Sequence, residues 1–168
     1  MEETKQHKSS FEIFRDPNAS EREKYKFYAQ NDHYALELRE KVRKVVVEKG
    51  LSSVMNDTKW LKLQSSIVKL PFAPPYIEKL ILENKNFEEV QISDAPQWLG
   101  DWSPFYEEGM YLFFAIEYIK VRPLYAEYNG RLVAPKIYDE TKEFEQILQE
   151  LHIPYEEECG TFTIYGYK

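Results

Sequence analysis

The stretch of residues 110–122 constrains the fold of this chain most strongly. It consists largely of β-branched and aromatic residues, which favour strands. Its first part, residues 111–116, is continuously apolar and does not alternate with polar positions. Because strands of that kind have both faces covered, we expect a central strand in a sheet with other elements packed against it.

Shorter strands are predicted on both sides of this one. The predicted segments are residues 76–82, 124–128, 131–134, 155–158 and 161–165, with residues 87–92 either a short strand or part of a loop. Asn129-Gly130 is a strong hairpin signal, because both residue types tolerate the positive φ of a type I′ turn. A closing hairpin is predicted around Cys159-Gly160. Both turns join strands that are consecutive in the chain, which favours antiparallel pairing.

A long amphipathic helix is predicted for residues 20–50. Ser20 and Glu23 have the spacing of a capping box at its start, and Gly50 is a typical helix end. Its apolar stripe, which Asn31 interrupts, consists of Tyr28, Ala35, Leu38, Val42 and Val45. The stripe is suited either to packing on the body of the protein or to dimerisation, and we expect packing on the body.

Two further helices are predicted. One begins near Asn56, a good N-cap residue, and ends at Pro71. Its expected buried face consists of Trp60, Leu63, Ile67 and Val68. The other is capped by Asp139 or Thr141 and ends near Leu151.

This order of elements predicts an α+β fold with a mainly antiparallel sheet and packed helices, preceded by the long N-terminal amphipathic helix. We divide the chain into a polar leader of residues 1–19, the N-terminal helix of residues 20–50, and a single α+β domain of residues 56–168.

The cysteine content and the hydropathy of the chain indicate the cellular compartment in which the protein folds. Cys159 is the only cysteine, so an internal disulfide is excluded. The first eight residues lack the apolar region of a signal peptide, and the longest apolar stretch is much shorter than a membrane span. We therefore expect a cytoplasmic protein that does not bind membranes.

The net charge of −7 is unevenly distributed. Residues 1–50 carry 11 basic and 10 acidic side chains, a net charge of +1, whereas residues 51–168 carry 11 basic and 19 acidic ones, a net charge of −8. An acidic body repels nucleic-acid phosphates and attracts a basic partner. We expect a basic protein partner and no nucleic-acid binding. The alternative is that the acidic residues only keep the protein soluble.

Catalytic motifs are missing from the sequence. The histidines His7, His33 and His152 form no i, i+4 pair, and a Cys-x-x-Cys motif is absent, so we expect no zinc site. The three acids that precede Cys159 oppose formation of a nucleophilic thiolate. We therefore expect no enzyme activity, no catalytic residues, no metal and no cofactor.

The irregular residues 93–109 contain one group of candidate partner contacts. This group consists of Trp98, Asp101, Trp102, Glu107 and Glu108. Carboxylates beside aromatic rings can bind sugars, cations or arginine side chains, so a small-ligand or carboxylate-based hydrolytic site is an alternative here. In a purely structural interpretation, the tryptophans close one end of the sheet and the acids cap nearby amides.

Residues 138–158 carry eight acids against Lys142 alone. The acids are Asp139, Glu140, Glu143, Glu145, Glu150, Glu156, Glu157 and Glu158. We select Glu143, Glu150, Glu156, Glu157 and Glu158 as candidate contacts for a basic partner. The alternative is a solvated surface with no binding role.

Several short segments from Asn56 onward resemble an uncharacterised family of small bacterial proteins. They are Asn56-Asp57-Thr58-Lys59-Trp60, Leu70-Pro71-Phe72-Ala73-Pro74-Pro75, Leu99-Gly100-Asp101-Trp102, residues 116–123 and residues 160–166. No catalytic residues are known to us for this family, so the resemblance implies none.

By its size, its acidity and its lack of catalytic motifs, the chain is also similar in type to the immunity proteins of LXG-like polymorphic toxin systems. That similarity implies an antitoxin that occludes a toxin, often a nuclease with a basic groove. A self-associating structural protein, with the first helix as the dimer element, is a further alternative.

Overall fold

A computed structural model describes residues 12–168 of the protein, so most of the predicted polar leader lies outside the described residues. The helices are α1 (Glu12–Arg15), α2 (Glu21–Asn31), α3 (His33–Lys49), α4 (Asp57–Ser66) and α5 (Thr141–Glu150). The strands are β1 (Tyr76–Leu80), β2 (Ile116–Val121), β3 (Leu124–Glu127), β4 (Lys136–Asp139), β5 (Glu156–Glu158) and β6 (Thr161–Tyr165).

The strands form two antiparallel sheets. The larger sheet has the order β1-β2-β6-β5, and β3 and β4 form a separate pair. This arrangement confirms the predicted α+β fold with an antiparallel sheet. The central position predicted for the strand of residues 110–122 is also confirmed, because β2 pairs on one side with β1 and on the other with β6.

The central strand is shorter than predicted. Residues 110–115 are not part of the ladder, and Phe113–Ala115 form a 3₁₀ turn. Met110 and Leu112 are nevertheless buried in the core. Their continuous apolar character therefore reflects a buried loop and turn, which composition does not distinguish from a buried strand.

The predicted helix of residues 20–50 is two helices. The Ser20–Glu23 capping box and the left-handed Gly50 C-cap are present as predicted. The break falls at Asp32, whose carboxylate accepts a hydrogen bond from the Ala35 backbone N–H at 3.0 Å. Asp32 therefore caps α3 in the middle of the expected helix.

Both helices contribute to the same hydrophobic core as the sheet. The buried residues of α2 and α3 are Tyr25, Ala29, Ala35, Leu38 and Val42. They belong to one cluster with Trp60, Phe144, Phe162 and Ile164. The segment after α3 also pairs with the chain end, where Val54 N–H donates to the Gly166 carbonyl at 2.9 Å. The apolar stripe of the N-terminal helices is therefore packed on the body of the protein.

One of the two predicted hairpins is present, and the other has a different register. The closing hairpin is confirmed, since Glu158 pairs with Thr161 across Cys159 (φ 49°) and Gly160 (φ 79°), the two positive φ values of a type I′ turn. The prediction that residues 131–134 pair across Asn129-Gly130 is wrong. Glu127 pairs with Lys136 instead, and residues 128–135 form a longer loop.

Side-chain contacts account for this longer loop. Tyr125 stacks on its cross-strand partner Tyr138 with ring centroids 6.1 Å apart. The Tyr138 hydroxyl also donates to the Glu127 carboxylate at 3.0 Å. A tight turn at Asn129-Gly130 would place Pro135, which has no backbone N–H, within the pairing.

The remaining elements follow the predictions with small differences. Asn56 caps α4, and Trp60, Leu63 and Ile67 are buried as expected, but Val68 is exposed. Phe87–Glu89 form a 3₁₀ turn, so residues 87–92 belong to a loop. Among residues 12–168, no helix combines the length and apolar character that a membrane crossing requires.

Candidate functional site

A polar cleft of about 480 Å³ lies on the sheet face opposite the main core, and we call it the Lys120 cleft. Lys120 is 7 % exposed and lies below the loop of residues 87–94. Its Nζ donates to the Phe87 carbonyl at 2.9 Å and lies 3.6 Å from the centroid of the Phe87 ring. Burial lowers the pKa of Lys120, whereas Glu88 and Glu158 raise it. The positive charge is therefore held below the surface between carboxylates.

Arg122 fixes the far end of this cleft. Its Nε donates to the Asp94 carbonyl at 2.9 Å, and its guanidinium also donates to the Cys159 carbonyl. Gly160 has a φ of 79°, which favours glycine, and a Cβ there would also displace the Arg122 guanidinium. Arg122 thus joins the loop of residues 87–94 to the β5–β6 turn.

A second cleft, of about 580 Å³, lies beyond the same turn, and we call it the Asp139 cleft. It is lined by Leu124, Asp139, Glu143 and the Cys159-Gly160 turn, among others. Hydrogen bonds from the Thr141 side chain and backbone lower the pKa of Asp139. Asp139 is therefore ionised well below neutral pH.

Carboxylates from four segments surround the two clefts and the neighbouring edge strand β5. We call this set the acidic rim; its members are Glu88, Asp94, Asp139, Glu143, Glu145, Glu156, Glu157 and Glu158. All three β5 side chains are exposed, and among the described residues β5 pairs only with β6. The rim thus lies along an open sheet edge, where a partner has access to both carboxylates and backbone groups.

The cations near the rim are only partly available to neutralise it. Lys120 is buried, and the Arg122 guanidinium is engaged by two carbonyls. Lys168 donates to Glu156, which lowers the pKa of that carboxyl. Lys142 is exposed at the Asp139 cleft.

The acidic residues predicted in the C-terminal third lie in different places. Glu143, Glu156, Glu157 and Glu158 belong to the rim. Glu150 lies at the far end of α5, where it accepts a hydrogen bond from the Gln146 side chain at 2.8 Å. Glu157 also accepts from the Gly160 backbone N–H, so one rim carboxylate helps to fix the turn itself.

The loop of residues 98–108 lies apart from these clefts. Trp102 is 7 % exposed, and its Nε1 donates to the Pro74 carbonyl at 2.9 Å. Its ring packs between Tyr76 and Phe144 and also lines a cleft with Glu107, so Trp102 is mainly a core residue and its role as a partner contact stays a prediction. Asp101 accepts hydrogen bonds from the side chain and backbone of Ser103, which lower the pKa of Asp101.

The other predicted residues of this loop are accessible but do not converge. Trp98 is 41 % exposed. Glu107 lines a separate, mainly apolar cleft of about 480 Å³ next to α4, and Glu108 ends a 3₁₀ turn with a φ of 64°. Of the three acids predicted in this loop, only Glu107 lines this cleft, where it lies together with Glu21 of α2.

Sequence reasoning missed four contributors to the site: Glu88, Asp94, Lys120 and Arg122. Alternation within β2 was the available signal, because it places Lys120 on the opposite sheet face from Ile119 and Val121. The position of the loop of residues 87–94 over that face depends on tertiary packing. Within residues 12–168, no group of three or more His, Cys, Asp or Glu side chains is arranged to hold a metal ion.

The fold and the site together define an α+β protein with an antiparallel sheet and a carboxylate-lined edge. The chain belongs to the family of unknown function DUF6678, whose profile matches residues 42–168. This agrees with the resemblance to an uncharacterised family, although the match begins earlier, inside α3. No curated protein and no solved structure matches the chain.

Proposed function

We propose that this protein acts without catalysis, by binding a basic protein partner through the acidic rim. The observation that carries the proposal is the open β5 edge, where three consecutive exposed glutamates lie between further carboxylates of α5 and of the loop of residues 87–94. Opposite charge at such a surface speeds the encounter and selects against acidic partners.

The partner class that we propose is a toxin domain, which the protein neutralises in the cytoplasm as an immunity protein does. A toxin nuclease has a basic groove that binds phosphates, and the spaced carboxylates of the rim would occupy that groove in place of the nucleic acid. The similarity in type to immunity proteins supports this assignment.

The experiment is co-expression and pull-down with the product of the neighbouring gene. We expect a complex, and protection of cells that produce that protein. The triple variant Glu156→Lys, Glu157→Lys, Glu158→Lys should weaken the complex on the order of a hundredfold, because three attractive contacts become repulsive. Isothermal titration of the purified proteins measures this change.

A matched control is available on α3. The variant Glu37→Lys, Glu40→Lys, Glu48→Lys makes the same change in net charge at exposed positions of a different surface. It should leave the affinity within a few-fold of the wild type, since distant exposed charges are screened by salt. Equal weakening by both triple variants, or the absence of both complex and protection, would contradict the proposal.

A further inference from the structure

The hairpin of β3 and β4 carries a group of exposed apolar side chains at its tip, among them Leu132, the most exposed large apolar residue of the described chain. Leu132 is 99 % exposed, Tyr128 is 63 % and Val133 is 61 %. All four residues of β4 are exposed, with Ile137 at 50 %. Such groups of apolar side chains on a protein surface mark interaction sites.

The outer edge of β4 is also open. Among residues 12–168, β4 pairs only with β3. On its other side β3 is covered, because Ala126 N–H donates to the Pro96 carbonyl at 2.7 Å. An exposed edge with apolar side chains and no covering element is a template for pairing with another strand.

We propose that this edge binds a second copy of the chain, so that two β4 strands pair antiparallel about a two-fold axis at Ile137. An axis perpendicular to the sheet pairs residues on the same face. It therefore sets Ile137 opposite Ile137 of the second copy and Lys136 opposite its Tyr138. Lys136 already lies 4.6 Å from the Tyr138 ring within one chain, which is the same type of contact.

Charge complementarity supports a second copy as the occupant. Residues 128–137 carry Arg131 and Lys136 and no acid, with Glu127 opposite Lys136 in β3, whereas the base of the hairpin has Asp139 and Glu143 against the single exposed cation Lys142. Antiparallel pairing brings the basic tip of one copy beside the acidic base of the other. It also directs the apolar residues Leu132 and Val133 of each copy toward the Asp139 cleft of the other, where Leu124 is part of the lining.

This surface differs from the one that the first helix would provide. The apolar stripe of α2 and α3 is packed in the core, and the exposed Val47 and Val68 lie on helices that have no open backbone edge. The β5 carboxylates are not part of the β4 contact, but Asp139 and Glu143 belong both to it and to the acidic rim, so a second copy and a basic partner would compete for these two carboxylates.

Sedimentation velocity of the full chain over the micromolar range tests the inference. We expect a reversible monomer–dimer equilibrium, with the Ile137→Lys variant raising the dissociation constant about tenfold or more because it places two ammonium groups face to face at the axis. The Val68→Lys control, at a residue that is 85 % exposed, should leave the equilibrium unchanged. Thermal unfolding of each variant checks that it is folded.

A charge-swap pair locates the contact independently. Arg131→Glu should weaken the dimer several-fold, and adding Glu143→Arg should restore it. Three outcomes would overturn the inference: a monomer at every concentration, a dimer that Ile137→Lys leaves intact but Val47→Lys abolishes, or a monomer whose hairpin binds anionic lipid vesicles instead.

Discussion

Tyr25→Ala is expected to lower the free energy of unfolding by about 3–5 kcal/mol, the usual cost of removing a large buried aromatic side chain. Tyr25 is 3 % exposed and stacks on Phe113 with ring centroids 4.5 Å apart. Its hydroxyl also accepts a hydrogen bond from the Phe113 backbone N–H at 2.9 Å. The substitution therefore leaves both a cavity and an unsatisfied buried donor.

Tyr25 lies in α2, before the first residue matched by the family. A large effect means that the segment outside the family match is part of the cooperative fold. Urea unfolding of Tyr25→Ala is the measurement, with Tyr34→Ala as the control. Tyr34 is 49 % exposed, so its removal should cost less than about 1 kcal/mol. Equal midpoints for wild type and Tyr25→Ala would show that α2 packs only loosely.

Glu140→Gln is expected to stabilise the protein at pH 8 by up to about 3 kcal/mol and to flatten its dependence on pH. Glu140 is fully buried, and burial raises its pKa to about 7. Nearby Glu143 and Asp139 contribute to this raised pKa, while a hydrogen bond from the Phe72 N–H to the carboxylate opposes it. The other carboxyl oxygen has no hydrogen-bond partner among the described residues.

The direction of the pH dependence of stability follows from the protonation of Glu140 in the folded and unfolded states. The folded state keeps a proton on Glu140 up to about pH 7, whereas the unfolded chain releases it near the ordinary carboxyl value of 4.5. Stability is therefore lost as pH rises from about 4.5 through 7. Burial raises the pKa of Glu78 to about 7 as well, so some of this slope should remain in Glu140→Gln.

Urea unfolding between about pH 5 and pH 8 measures this prediction. The control is Glu48→Gln, an exposed carboxylate on α3 that does not act on Glu140, which should keep the wild-type slope. A Glu140→Gln protein that is less stable than the wild type at pH 8 would show that the ionised carboxylate is favourable in its site.

The helix ends were predictable because their signals are local. Ser20, Gly50 and Asn56 each cap a helix within a few residues of the position that the sequence indicated. Asp32 was missed although its capping interaction is equally local. A single aspartate inside an amphipathic segment is compatible with a continuous helix. Whether the helix breaks at that aspartate depends on how the apolar faces of the two halves pack.

The strand pairing and the site depend on contacts between distant residues, and the sequence predicted them less well. The register of β3 and β4 is fixed by Tyr125 and Tyr138, which no turn rule identifies. Trp102 and Asp101 are adjacent in sequence, yet the first is buried in the core and the second is exposed. The acidic C-terminal third was recognised, but its combination with Glu88 and Asp94 requires the loop of residues 87–94 to lie over Lys120.

We propose that the acidic rim, and no other surface of the protein, binds basic protein segments. Amide chemical-shift mapping of the full chain with an oligo-arginine peptide tests it most directly, at low salt and then at high salt. We predict shifts concentrated at residues 87–94, 141–145 and 156–161 that disappear as salt is added. Shifts spread evenly over the surface, or centred on the 98–108 loop, would contradict the claim.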